Sequence, residues 1–133
     1  MRVLLLIFLL LMSSCSQEKP EEMCLGVVED YYESLITQDL QRQLEILAPF
    51  SLDAKSYNEG FLSHVLGGEV HEITIEHEDE LLIMVKLDFT LILDESFKEN
   101  VSFQPGENHV QRYFSFFKND DYRLKEILNK AIY

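Results

Sequence analysis

Apolar residues recur along this chain with two different periods, and the change from one to the other divides it in two. Between residues 21 and 37, Cys24, Val27, Val28, Tyr31 and Leu35 fall at i, i+3, i+4, i+7 and i+11, the stripe of a one-sided amphipathic helix. Asp39 is suited to cap a second, shorter helix, in which Leu40, Leu44 and Leu47 continue the spacing until Pro49 stops it. Phe61 and Val65, with Leu62 and Leu66, predict a short third helix ended by Gly67 and Gly68.

From Glu69 the period becomes two. Ile73 and Ile75 alternate with Thr74 and Glu76 in a first strand, and a turn near Glu78 and Asp79 leads into a long second one. There Ile83, Val85, Leu87, Phe89, Leu91 and Leu93 point one way, and Met84, Lys86, Asp88, Thr90 and Ile92 the other. Val101 and Phe103 predict a shorter strand before the Pro105–Gly106 turn signal, and residues 109–118 a further one turned back at residues 119–121. Tyr122 and Leu124 fit a final strand to about Glu126, although Leu124, Ile127, Leu128, Ala131 and Ile132 also fit a helical stripe.

A third pattern stands at the start. Residues 3–12 are an unbroken apolar run behind Arg2. A membrane-spanning helix needs roughly 20 such residues, so the run matches the apolar part of an export leader instead. Leu11-Met12-Ser13-Ser14-Cys15 resembles the lipobox of bacterial lipoproteins. That resemblance implies cleavage between Ser14 and Cys15, then acylation of Cys15, which anchors the chain in a lipid bilayer. The implied layout is a signal peptide at 1–14, a lipidated polar tether at 15–22 and one domain at 23–133. In a cell with two membranes the expected address is the outer membrane, facing the periplasm; with one membrane the domain faces outward.

Loss of the leader removes Arg2 and no acid, taking the formal net charge from −13 to −14. Such a surface has no basic patch with which to displace counterions from phosphates, which argues against nucleic acid as a partner. Cys15 consumed as a thioether leaves Cys24 unpaired, so no disulfide framework is expected. The place of Cys24 on the helical stripe predicts a small buried hydrophobe; a reactive thiol or an intermolecular disulfide is the alternative.

Helices first and then antiparallel strands predict an α+β domain with the helices on one face of a curved sheet. VVEDYYESLITQDLQRQLEIL and HVQRYFSFFKNDDYRLKEI together resemble the nuclear transport factor 2-like (cystatin-like) superfamily, over roughly residues 23–127. The resemblance implies a cone-shaped domain with a cavity between helices and sheet, hosting isomerases, dehydratases and cyclases as well as non-catalytic binding domains. Fold alone does not choose among these.

Candidate chemistry is sparse. His71 and His77 share a strand face but stand about 20 Å apart at 3.3 Å per residue, too far for one ion, and His64, His77 and His109 read as surface polar residues; no metal and no cofactor are expected. Asp88 is the candidate general base, with Tyr31 as its candidate neighbour in the cavity, yet no Asp–His pairing is visible in the spacing. Tyr113 and Phe117 lie on the second face of their strand and are candidates for contact with a partner protein or for homodimerisation. The sequence expectation is a membrane-anchored, non-enzymatic domain that binds a partner protein or small ligand. The alternatives are a cavity-based isomerase- or dehydratase-like enzyme and an adaptor in secretion or envelope assembly.

Overall fold

The computed structural model describes residues 18–47 and 60–129. The leader, Ser14, Cys15, Pro49 and the last four residues lie outside that range. Helix α1 (Pro20–Ile36) begins where the tether was expected to continue. Pro20 occupies the first turn, where its missing N–H costs nothing, and Glu21 and Glu22 stand at the positive end of the helix dipole. Cys24, Val28, Tyr31, Ser34 and Leu35 are its buried face, close to the predicted stripe.

Helix α2 (Leu40–Leu47) is capped as predicted, with Asp39 Oδ1 accepting the Arg42 N–H at 3.0 Å. Arg42 also pairs with Asp30 and Glu33 of α1, holding the two helices together. Gln38, in the left-handed region at φ 55°, makes the bend between them. Its side-chain N–H donates to the Val65 carbonyl at 2.8 Å, which ties that bend to the sheet.

Four strands follow: β1 (Val65–Glu78), β2 (Leu82–Leu93), β3 (Gly106–Phe117) and β4 (Arg123–Leu128). They form one sheet in the order β1-β2-β3-β4, each antiparallel to the next. This is an α+β domain with helices on one face of an antiparallel sheet, as the sequence predicted. The inward set on β2 is as read: Ile83, Val85, Leu87, Phe89, Leu91 and Leu93 are all at most 2 % exposed. Pairing with β3 (Val85 to Phe114, Phe89 to Val110) continues that apolar face, and a one-residue slip would invert it.

Aromatic pairs fill the middle of the space beneath α1. Tyr31 meets Phe114 edge-on with centroids 5.0 Å apart, and Tyr32 meets Phe89 likewise at 5.6 Å. Phe61, Leu62, Val65 and Phe103 complete the same buried cluster. Toward β4 an open pocket of about 670 Å³ remains between helices and sheet, lined by Val27 and Ile46 on one side and Phe116, Tyr122 and Leu124 on the other.

Two expectations fail locally. Of the predicted third helix, residues 60–62 are helical among the described residues, but Val65 and Leu66 already belong to β1, and Gly67 and Gly68 lie inside that strand rather than ending a helix. Gly68 is needed there because a Cβ would come within 2.4 Å of the Thr90 carbonyl and 3.2 Å of the Tyr32 hydroxyl. The strand predicted at Val101 and Phe103 is a loop. Asn100 Oδ1 accepts the N–H groups of Ser102 and Phe103 at 2.8 and 2.9 Å, satisfying the donors a strand partner would use. Phe103 is buried there against Phe61, while Val101 is fully exposed. The final strand forms as the alternation favoured, but runs past Glu126 to Leu128.

Candidate functional site on the outer face of the sheet

The face turned away from the helices is where chemistry collects. β2 places Lys86, Asp88 and Thr90 on it, and β3 sets Tyr113, Gln111 and His109 directly opposite those three. β1 adds Glu72 and Thr74, and one residue more by an irregularity. Val70 pairs with Phe89 and Glu72 with Asp88, so His71 is an extra residue between consecutive partners, a β-bulge. The bulge brings the His71 ring to the same face as Glu72, where Nε2 lies 2.7 Å from Thr90 Oγ1 and Glu72 pairs with Lys86 at 3.2 Å.

Asp88 is the centre of the group. His109 Nε2 lies 2.5 Å from Asp88 Oδ1, and Gln111 donates to Oδ2 at 2.9 Å. The Asp88 side chain is only 13 % exposed, while His109 at 63 % projects into solvent. Burial works to raise the Asp88 pKa, but the hydrogen bonds from Gln111 and His109 outweigh it and hold the carboxyl below its ordinary value. The rings of His71 and His109 stand edge to face, 5.7 Å between centroids. One ligating atom from each of His71, Asp88 and His109 lies within 4.8 Å of the others.

Beyond the end of β4, His109 also lines an open groove of about 480 Å³ with Ser102, Phe103, Val110, Gln111, Arg112 and Asn129. Arg112 is half-buried and donates to Asn129 Oδ1 at 3.1 Å. Among the described residues it forms no ion pair, as is also true of Lys19, Lys98 and Arg123, whereas Arg42, Lys86, Lys118 and Lys125 are paired. Its Nε is buried with no hydrogen-bond partner among those residues.

The predicted site residues are thus redistributed. Asp88 has the histidine partner that sequence spacing did not show, because the pairing runs across strands 21 residues apart. Tyr31 is 6 % exposed in the core beneath α1 and does not meet Asp88, which lies on the opposite face; the shared cavity does not exist. Tyr113 and Phe117 are on the outer face as read, but half-buried rather than forming an open aromatic patch. His77 pairs with Asp79 at 3.0 Å, away from His71.

His64 forms a second polar group with Asp94 and Ser96. Asp94 Oδ1 and Ser96 Oγ both approach His64 Nδ1, at 2.9 and 3.2 Å. A hydroxyl nucleophile would use one ring nitrogen and its orienting carboxylate the other. Sharing a single nitrogen makes this group a clasp on the start of the loop after β2.

No family pattern and no curated protein sequence matches the chain. A solved structure from Xanthomonas campestris pv. campestris, described as a putative polyketide cyclase, is similar in fold. Its TM-score is 0.56 at 12 % identity, covering 86 % of this chain and 93 % of that one. The two chains share an α+β fold with helices packed on an antiparallel sheet. The expectation of a domain with no enzymatic role is therefore corrected: its fold is shared with a protein described as a cyclase, and its one candidate base is paired with an imidazole.

Proposed function

We propose that this protein is a lipid-anchored envelope domain that binds a small carboxylate-bearing molecule in the groove along the open edge of β3, which His109 enters from the outer face and Arg112 from the inner one, and performs acid–base chemistry on it through His109. The observation that carries the reading is the conjunction of Arg112 and His109 in one groove. Arg112 is a half-buried guanidinium without an acidic partner among the described residues, in a chain with 24 acidic residues. A guanidinium in that state favours a planar anion. Asp88, itself held by Gln111, fixes the His109 ring through one nitrogen and leaves the other for proton transfer, the division of labour by which carboxylates orient catalytic imidazoles.

Titration of the 15N-labelled protein with acetate, succinate and citrate tests this. Chemical-shift changes are expected at residues 102–103, 109–112 and 129, and Arg112→Ala should weaken binding at least about tenfold, the loss of one charged hydrogen bond. Changes confined to the core face, or none, would overturn the groove. Support for the anchor is the leader and the Ser14–Cys15 junction. Mass spectrometry of cell-derived protein should find a diacylated or triacylated N-terminal Cys15, and an unprocessed Met1 would overturn it.

A further inference from the structure

The geometry points to a binding site for a divalent transition-metal ion of the zinc class, formed by His71 of β1, Asp88 of β2 and His109 of β3. The inference rests on the reading of the groove, because His109 belongs to both groove and cluster, and it changes one role there: with an ion bound, His109 is a ligand rather than a base.

Two imidazole nitrogens and one carboxylate oxygen are a donor set for zinc, cobalt, nickel or copper, whereas calcium and magnesium take oxygen ligands. Donors bound to one zinc ion at about 2.0–2.1 Å stand about 3.3 Å from each other in tetrahedral geometry. The three donor atoms here already lie within 4.8 Å, so closure asks only for small side-chain rotations. His109, at 63 % exposure, makes such a rotation against little packing.

The surroundings are those of a supported site. Gln111 holds Asp88 Oδ2 and leaves Oδ1 toward the imidazoles. The Thr90 hydroxyl contacts a ring nitrogen of His71, the kind of outer contact that fixes ring orientation at metal centres. The neighbouring ammonium of Lys86 is engaged by Glu72, which offsets its repulsion of a cation. Three protein ligands on an open face leave a coordination position for an exogenous group, as in catalytic rather than structural zinc sites. An ion there would stand beside the groove that Arg112 also lines.

The test is calorimetric titration of the full chain in detergent micelles with zinc chloride after chelator treatment, with cobalt(II) absorption as a second readout. One ion per chain is expected, with intense cobalt d–d bands. His71→Ala, His109→Ala and Asp88→Asn should each weaken binding at least tenfold, the effect of losing one of three ligands. His77→Ala, on the same face but outside the cluster, should leave it unchanged. Because a variant may misfold, paramagnetic broadening by cobalt in the unmodified protein is read as well, and should centre on residues 71, 88 and 109. No saturable binding, or binding lost equally in His77→Ala, would overturn the site. Carboxylate titrations with chelator present separate the two readings: groove binding without ion binding sinks only the metal site, and ion binding without groove binding sinks only the carboxylate reading.

Discussion

Tyr31 and Asp88 lie on opposite faces of the same sheet: the ring of Tyr31 packs edge-on against Phe114 in the core, while the Asp88 carboxylate faces outward between His109 and Gln111. The separation predicts separable effects. Tyr31→Ala should cost about 3 kcal/mol of stability in urea unfolding, within the range for truncating a buried aromatic ring. It should leave outer-face binding intact below its own melting temperature. Asp88→Asn keeps the shape and should cost about 1 kcal/mol or less, while removing outer-face chemistry. Equal destabilisation by both substitutions would contradict the placement.

The two adjacent glycines of β1 make a paired test of packing. Gly68→Ala drives a methyl into the Thr90 carbonyl and should destabilise by about 2 kcal/mol or more. Gly67→Ala meets nothing within 4 Å and should stay within about 0.5 kcal/mol of the parent. Thermal melts of the two single variants decide the matter, and the order must not reverse.

Acid below about pH 4 should weaken the β1–β2 turn. The Asp79 carboxyl is lowered to about 2 by the His77 hydrogen bond, then by the N–H groups of Leu81 and Leu82. A folded-state pKa below the unfolded value stabilises the fold above about pH 4, and that contribution fades as pH falls toward 2. The melting temperature should decline across this window, and Asp79→Asn should flatten the decline. An unchanged slope in the variant would remove Asp79 from the account.

Cys24 should be inert while the protein is folded. It is 1 % exposed, and burial, followed by the negative charges of Glu21 and Glu78, pushes its thiol up to about 11. Thiolate is the reactive form, so iodoacetamide at pH 8 should label Cys24 only after denaturant is added. Rapid labelling of the native protein would mean that α1 opens readily.

The sequence carried the elements whose physics is local. The six inward residues of β2 declare a strand because their period is two, and Asp39 declares a helix start because its cap acts three residues away. Phe103 misled because its burial comes from a loop folding Phe61 against it, which alternation with Val101 imitates. The outer-face cluster was illegible for a different reason. His71, Asp88 and His109 meet only through the register of three strands, and the first is displaced by an irregularity in that register. The one available signal was parity: Asp88 shares a strand face with Thr90, and Thr90 pairs with His109, the first residue of the strand predicted at 109–118.

His71 is supernumerary to the ladder, and this gives the outer face an unusual kind of modularity. Were that single codon deleted, Val70 and Glu72 would become neighbours while keeping Phe89 and Asp88 as partners, so the pleat would run on undisturbed. Asp88 and His109 have no such freedom, because each holds a rung. One imidazole of the three-residue group is therefore an insertion that a chain of this shape can gain or lose without refolding.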